Sequence, residues 1–188
     1  MSKRPWIVFF SRTGKEIVDI VDAIGREPDL IVTNAPTDRI HAGIFAMRSP
    51  IQRCTSKPLA AEYRQALLNT SSNKAPLATL HGWLRIVPAE ICDEYEIYNG
   101  HPALISEYPE LKGLDMQEAI IGEQTKYPRI GSVVHRVTPI LDDGEIITSA
   151  SIVNTVHTEV EAYSNLRETS LSAWLDFFRN TRIGKELI

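Results

Sequence analysis

Apolar positions along the chain gather in short unbroken runs, separated by stretches with a helical period. "PWIVFF", Pro5 to Phe10, is bounded by turn residues and has the pattern of a strand covered on both faces. "SRTG" follows as a loop, and "KEIVDIVDAIG" then sets Ile17, Ile20, Val21 and Ile24 on one helical face, with Gly25 as the stop. "DLIVTN" is a second short strand. A strand, tight loop, helix and strand within about thirty residues make one βαβ unit.

Residues 35–57 show no clean period and read as an irregular connection. "PLAAEYRQALLN" predicts a helix with Pro58 at its first position. "LATLHG" and "EIYN" read as strands, "PAEICDEY" as a short helix between them, and "LDMQEAII" as a further helix. "GSVVHRVT" and "EIITSASIV" read as strands joined through "PILDDG". From Thr158 to Arg179 a long helix is expected, with Val160, Tyr163, Leu166, Leu171, Trp174 and Phe178 near helical spacing. No repeat or linker interrupts the pattern. The expectation is α/β: a single Rossmann-like domain over 1–188, its twisted sheet mostly parallel with helices on both faces, and a hairpin-like pair near the end. Ligands of such sheets sit outside the carboxyl ends of the strands, here the loops "SRTGK", "HGWLRIVP" and "NGHPALI".

Composition narrows the function classes. The 188 residues suit one domain, and 43% hydrophobic residues with 23% charged ones are ordinary for a soluble globular protein. A net charge of −4 argues against a dedicated nucleic-acid binder. No apolar run reaches the length of a membrane span, and the basic start lacks the features of a signal peptide, so a cytoplasmic location is expected. Cys54 and Cys92 lack C-x-x-C spacing, and the five histidines form neither an i, i+4 pair nor a Cys/His cluster, so no metal site is suggested. The oligomeric state is not legible.

Three stretches carry candidate chemistry. Asn99 and His101 are two residues apart at a strand end and project from one face, with Pro102 turning the chain out. This arrangement suits either a solvated strand end or a donor and a titratable base aimed into one crevice. "SRTGKE" departs from the P-loop, since Phe9 takes the first glycine position and Glu16 the Ser/Thr position, which disfavours nucleotide hydrolysis. A simple anion cradle there is as good a reading as a plain turn, and Glu16 in the first helical turn weakens it for dianions. Asp142 and Asp143 are ordinary turn residues, or one of them is a carboxylate stabilising a charged histidine. His135, inside an apolar strand, reads as a packed residue.

With Asn99, His101 and Asp142 in this order, the chain resembles the folate-dependent formyltransferase family. "HGWLRIVP" looks like its folate-contacting strand end, matching at Leu84, Arg85, Ile86 and Val87. "YNGHPALISEYPELKG" is similar to N-x-H-P-S-L-L-P-x-Y-P-G at Asn99, His101, Pro102, Leu104, Tyr108 and Pro109. "GSVVHRVTPILDDGEII" is similar to G-x-S-V-H-x-V-x-x-x-x-D-G-G-x-I, which sets the family's Asp at Asp142 and Asp143 in place of a glycine. The departures cluster on the expected amine side: Lys15 and Glu16 in the phosphate loop, Ser106 and Glu110 at proline and glycine positions, and Lys112 in place of His.

The resemblance implies the formyltransferase fold and transfer of a formyl group from 10-formyltetrahydrofolate, as co-substrate, to an amine. It implies that Asn99 donates a hydrogen bond to the developing oxyanion. It also implies that His101, protonated, stabilises the same charge and passes a proton to the leaving nitrogen, and that Asp142 keeps His101 charged. Folate would lie between Leu84, Arg85, Ile86 and Val87 on one wall and Thr138, Ile140, Leu141 and Asp142 on the other. Arg12, Thr13, Gly14 and Lys15 would meet the acceptor, expected to be a small anionic amine. A folate-binding regulatory or inactive homologue, or a related one-carbon or carbamoyl transferase on the same fold, are the other readings.

Overall fold

The computed structural model describes residues 3–69, 73–113 and 116–188. Seven strands form one sheet: β1 (Trp6–Phe10), β2 (Leu30–Thr33), β3 (Ile51–Arg53), β4 (Leu77–Leu80), β5 (Glu96–His101), β6 (Arg129–Arg136) and β7 (Ile146–Val153). Their spatial order is β3-β2-β1-β4-β5-β6-β7. The first five run parallel, whereas β6 and β7 are antiparallel to their neighbours. The order reverses between β1 and β4, which leaves a crevice where their carboxyl ends diverge.

The unbroken apolar runs follow from two covered faces. Trp6, Val8 and Phe10 of β1 pack into one layer with α1 (Lys15–Ile24) and α6 (Glu159–Asn180). The alternate residues Ile7 and Phe9 pack into the other, against Tyr63 and Leu67 of α3 (Ala60–Leu68) and Ile91 of α4 (Ala89–Glu94). Alternation continues along β5, where Tyr98 faces Phe177 and Ile97 joins the opposite layer. Gly100 lies flat on Trp174. A Cβ there would come within 2.5 Å of the indole nitrogen, so the strand carrying Asn99 and His101 seats on α6 only with glycine between them.

The structure adds to and corrects the sequence reading at four places. The irregular connection contains α2 (Ala42–Ala46) and β3, which pairs parallel with β2 at the sheet edge and is too short and half-exposed to show a period. Pro58 is not the first helical residue. Leu59 caps α3, and its N–H is taken by Glu62 at 3.0 Å. On α6 the buried stripe runs through Ala162, Leu166, Ser170, Ala173, Trp174 and Phe177, while Val160 and Tyr163 are 79% and 45% exposed. In "LDMQEAII" the helix α5 (Met116–Ile120) is present, and the first two residues lie outside the described residues. A short α7 (Arg182–Lys185) closes the chain. Among the described residues no helix is long and apolar enough to cross a membrane.

Candidate active site

A cavity of about 690 Å³ opens at the carboxyl ends of β1, β4 and β5. The β1–α1 loop contributes Arg12, Thr13, Gly14, Lys15 and Glu16 to its wall. Gly14 is the left-handed turn residue before α1 (φ 72°), and a Cβ there would press on Ile44 at 3.0 Å. Leu84, Arg85, Ile86 and Val87 line it beyond β4, and Thr138, Leu141 and Asp142 beyond β6. Asn99 and His101 come from the end of β5. Ile140 is the exception, because it points to solvent, 67% exposed, and is no part of the wall. Trp83 touches the cavity but belongs mainly to the core, with its indole N–H donating to the Tyr63 hydroxyl at 2.9 Å.

Asp142 is the centre of the wall beyond β5 and β6. Its Oδ2 accepts the Gly113 N–H at 2.9 Å and lies 3.4 Å from His101 Nδ1, and its Oδ1 lies 3.4 Å from His135 Nε2. All three side chains are buried. Asp142 holds φ at 49°, alone among the described non-glycine residues in that region. Aspartate tolerates this conformation better than most side chains, and such an outlier in a cleft points to function. Burial opposes its ionisation, yet the His135 contact, the His101 charge and the Gly113 N–H together outweigh it and hold the carboxyl below its usual range.

The ring protons can be assigned from partners that only accept. His101 Nε2 lies 3.2 Å from the Leu111 carbonyl and carries a hydrogen, while Nδ1 faces the Asp142 carboxylate and gains a hydrogen-bond partner there only when it too is protonated. Burial works against the charged His101 that the resemblance implies. Burial pushes its pKa down from the ordinary histidine value, and Asp142 and the Leu111 carbonyl offset this only in part. The ring is therefore held toward its neutral form, with Asp142 placed to receive it when it charges.

His135 is a site residue that the sequence reading missed. It pairs directly across from Asn99 in the antiparallel β5–β6 ladder, beside a register shift between Val134 and His135. Its Nδ1 donates to the Arg136 carbonyl at 2.9 Å, and its Nε2 lies between Asn99 Nδ2 at 3.3 Å and Asp142 Oδ1 at 3.4 Å. That contact ties the Asn99 amide to β6 where Asn99 lines the cavity. An apolar strand flanking one histidine gives no sign of this, because the partner is set by register. Gln117 on α5 was missed as well. It is buried in the cavity wall, and its Oε1 has no partner among the described residues. Among those residues no group of three or more His, Cys, Asp and Glu is arranged to hold a metal ion.

A half-buried amide, an imidazole and a carboxylate meet at the switch point of a mostly parallel sheet. The chain matches the formyl transferase family model over residues 6–175 and belongs to the folate-dependent formyltransferase family. No curated protein matches it. Among solved structures it is similar to phosphoribosylglycinamide formyltransferase from Anaplasma phagocytophilum, with TM-score 0.76 and 22% identity over 92% of this chain and 84% of that one. It is likewise similar to the enzyme of that name from Streptococcus pneumoniae, with TM-score 0.74 and 17% identity over 92% and 95%. A formyltetrahydrofolate deformylase from Pseudomonas putida aligns with TM-score 0.70 and 18% identity over 92% of this chain and 63% of that one. At these identities the likeness is one of fold.

Proposed function

We propose that the protein transfers a formyl group from 10-formyltetrahydrofolate to an amine of a small acceptor. The observation that carries this is the meeting of Asn99, His101 and Asp142 in one cavity beside a slot with apolar side chains on both walls. Leu84 and Ile86 on one side and Leu141 on the other are more than half exposed, which suits a flat aromatic ring inserted between them. The folate co-substrate would bring the formyl carbon to the end of β5.

The chain's own groups then have distinct tasks. The Asn99 amide donates to the formyl oxygen as the amine adds and that oxygen gains charge, and removing such a donor typically costs ~100- to 1000-fold. His101 Nδ1 accepts a proton from the attacking amine, and Asp142 Oδ2 stabilises the imidazolium that results. The same proton returns to the folate nitrogen as its bond to the formyl carbon breaks. Arg12, at the edge of the β1–α1 wall, is the cation that an anionic acceptor would meet.

Addition of 10-formyltetrahydrofolate is expected to raise the melting temperature by ligand linkage. Incubation with that donor and a mixture of cellular small-molecule amines is expected to give a product heavier by one formyl group. No thermal shift at saturating folate would overturn the assignment. A shift without any formylated product would leave a folate-binding protein without turnover.

A further inference from the structure

The opposite wall of the cleft is built around a second carboxylate. Glu16 is the second residue of α1, with Oε1 accepting from the Ser170 hydroxyl at 2.5 Å and Oε2 2.8 Å from His81 Nδ1. His81 Nε2 lies 2.8 Å from Thr79 Oγ1, which also accepts the Trp6 indole N–H at 2.8 Å. The Glu16 carboxylate only accepts, so a ring hydrogen sits on Nδ1, aimed at Glu16. Trp174 packs on the ring at 4.5 Å between centroids. Four elements, β1, β4, α1 and α6, thus converge to fix one carboxylate. The His81 side chain is fully enclosed, whereas that of Glu16 is 23% exposed and lines the cavity.

The same wall lacks what a phosphate needs. Lys15 and Arg167 both pair with Asp19, the latter at 2.5 Å. The Lys15 N–H points to Thr13 Oγ1 at 3.3 Å, and the Ile17 and Val18 N–H groups return to the Gly14 carbonyl at 3.1 and 3.3 Å. Three of the first four N–H groups of α1 are engaged within the turn that would otherwise cradle an anion.

Resting on the formyl-transfer reading, we infer that Glu16 sets acceptor specificity. It takes hydroxyl or ammonium donors of a hydroxyl-bearing amine and keeps a phosphate dianion away from the start of α1.

The test uses two probes, glycinamide ribonucleotide and its dephosphorylated riboside, with binding measured by calorimetry on wild type, Glu16→Gln and Glu16→Asn. Wild type is expected to bind the riboside at millimolar concentration at least as tightly as the ribonucleotide. Removing the Glu16 charge is expected to move the affinity ratio toward the ribonucleotide by about tenfold or more. Tighter wild-type binding of the ribonucleotide, no binding of the riboside, or an unmoved ratio in a folded variant each overturns the inference. The wild-type arm decides even if neither variant folds. Failure of the formyl-transfer reading would appear separately, as absent folate binding, and the ratios can be read on folate-free protein.

Discussion

Two carboxylates in this cleft each lie beside an imidazole, and the two pairs are enclosed differently. On the β5–β6 wall Asp142 and His101 are both buried, with the His101 Nε2–H tied to a carbonyl and Nδ1 facing the carboxylate. On the β1–α1 wall the imidazole is the enclosed partner, with both ring nitrogens engaged, and Glu16 reaches the cavity. An imidazole beside a carboxylate is therefore no catalytic signature in itself. What matters is which group is left to meet a ligand: an imidazole can carry a proton through a reaction, while a carboxylate accepts donors and repels anions.

The largest expected effect separates the walls directly. Asn99→Ala and His101→Ala should each lower kcat by ~100-fold or more at nearly unchanged folate affinity, because both act on charge that appears only in the transition state. Since they serve one developing charge, the double variant should resemble the worse single one. Normal turnover per folded molecule in His101→Ala would reduce that wall to a hydrogen-bonded strand end.

Asp142→Asn sharpens the comparison further. Asparagine accepts the φ of 49° that Asp142 adopts, so the backbone is kept while the charge is lost. Without the carboxylate that partly offsets burial, His101 should titrate at still lower pH. The acid limb of the kcat/KM profile should move to lower pH, and kcat should fall about tenfold as the imidazolium loses its partner. An acid limb that stays in place would disconnect Asp142 from His101.

His135→Leu tests how the donor is aimed. Loss of the Nε2 contact frees the Asn99 amide to turn, and kcat should drop by about tenfold with the position of the acid limb little changed. A variant as active as wild type would show that strand geometry alone orients Asn99.

Sequence made one of these walls far more legible than the other. Asn99 and His101 share a face because strand residues two apart always do, and Asp142 follows from a motif of fixed spacing. The sheet, the first βαβ unit and the hairpin of β6 and β7 were visible because their apolar periods are set by burial on known faces. The pair of His135 with Asn99 and that of His81 with Glu16 join residues 36 and 65 positions apart. No local pattern encodes such meetings. They depend on the antiparallel register of β5 with β6 and on where α1 starts over β4. The balance at His101 is hidden for a related reason: sequence names the carboxylate that favours the cation but not the burial that opposes it.

The smallest expected effect is on stability, and it follows from the same burial. His101 binds a proton less readily in the folded chain than in the unfolded one. Just below the ordinary histidine value of about 6.5 the unfolded state therefore holds more protons, and stability rises with pH. The contribution is fully present above that value and is lost as pH falls through it. Asp142 acts with the same sign in a lower window, since its depressed carboxyl contributes stability above the ordinary aspartate range that is lost as pH drops below it. Denaturant melts of wild type and His101→Gln across both windows should thus differ in slope in the upper one and coincide more closely in the lower. Equal slopes between pH 5 and 7 would mean that His101 charges as easily folded as unfolded, and the neutral, proton-accepting ring of the β5–β6 wall would have to be given up.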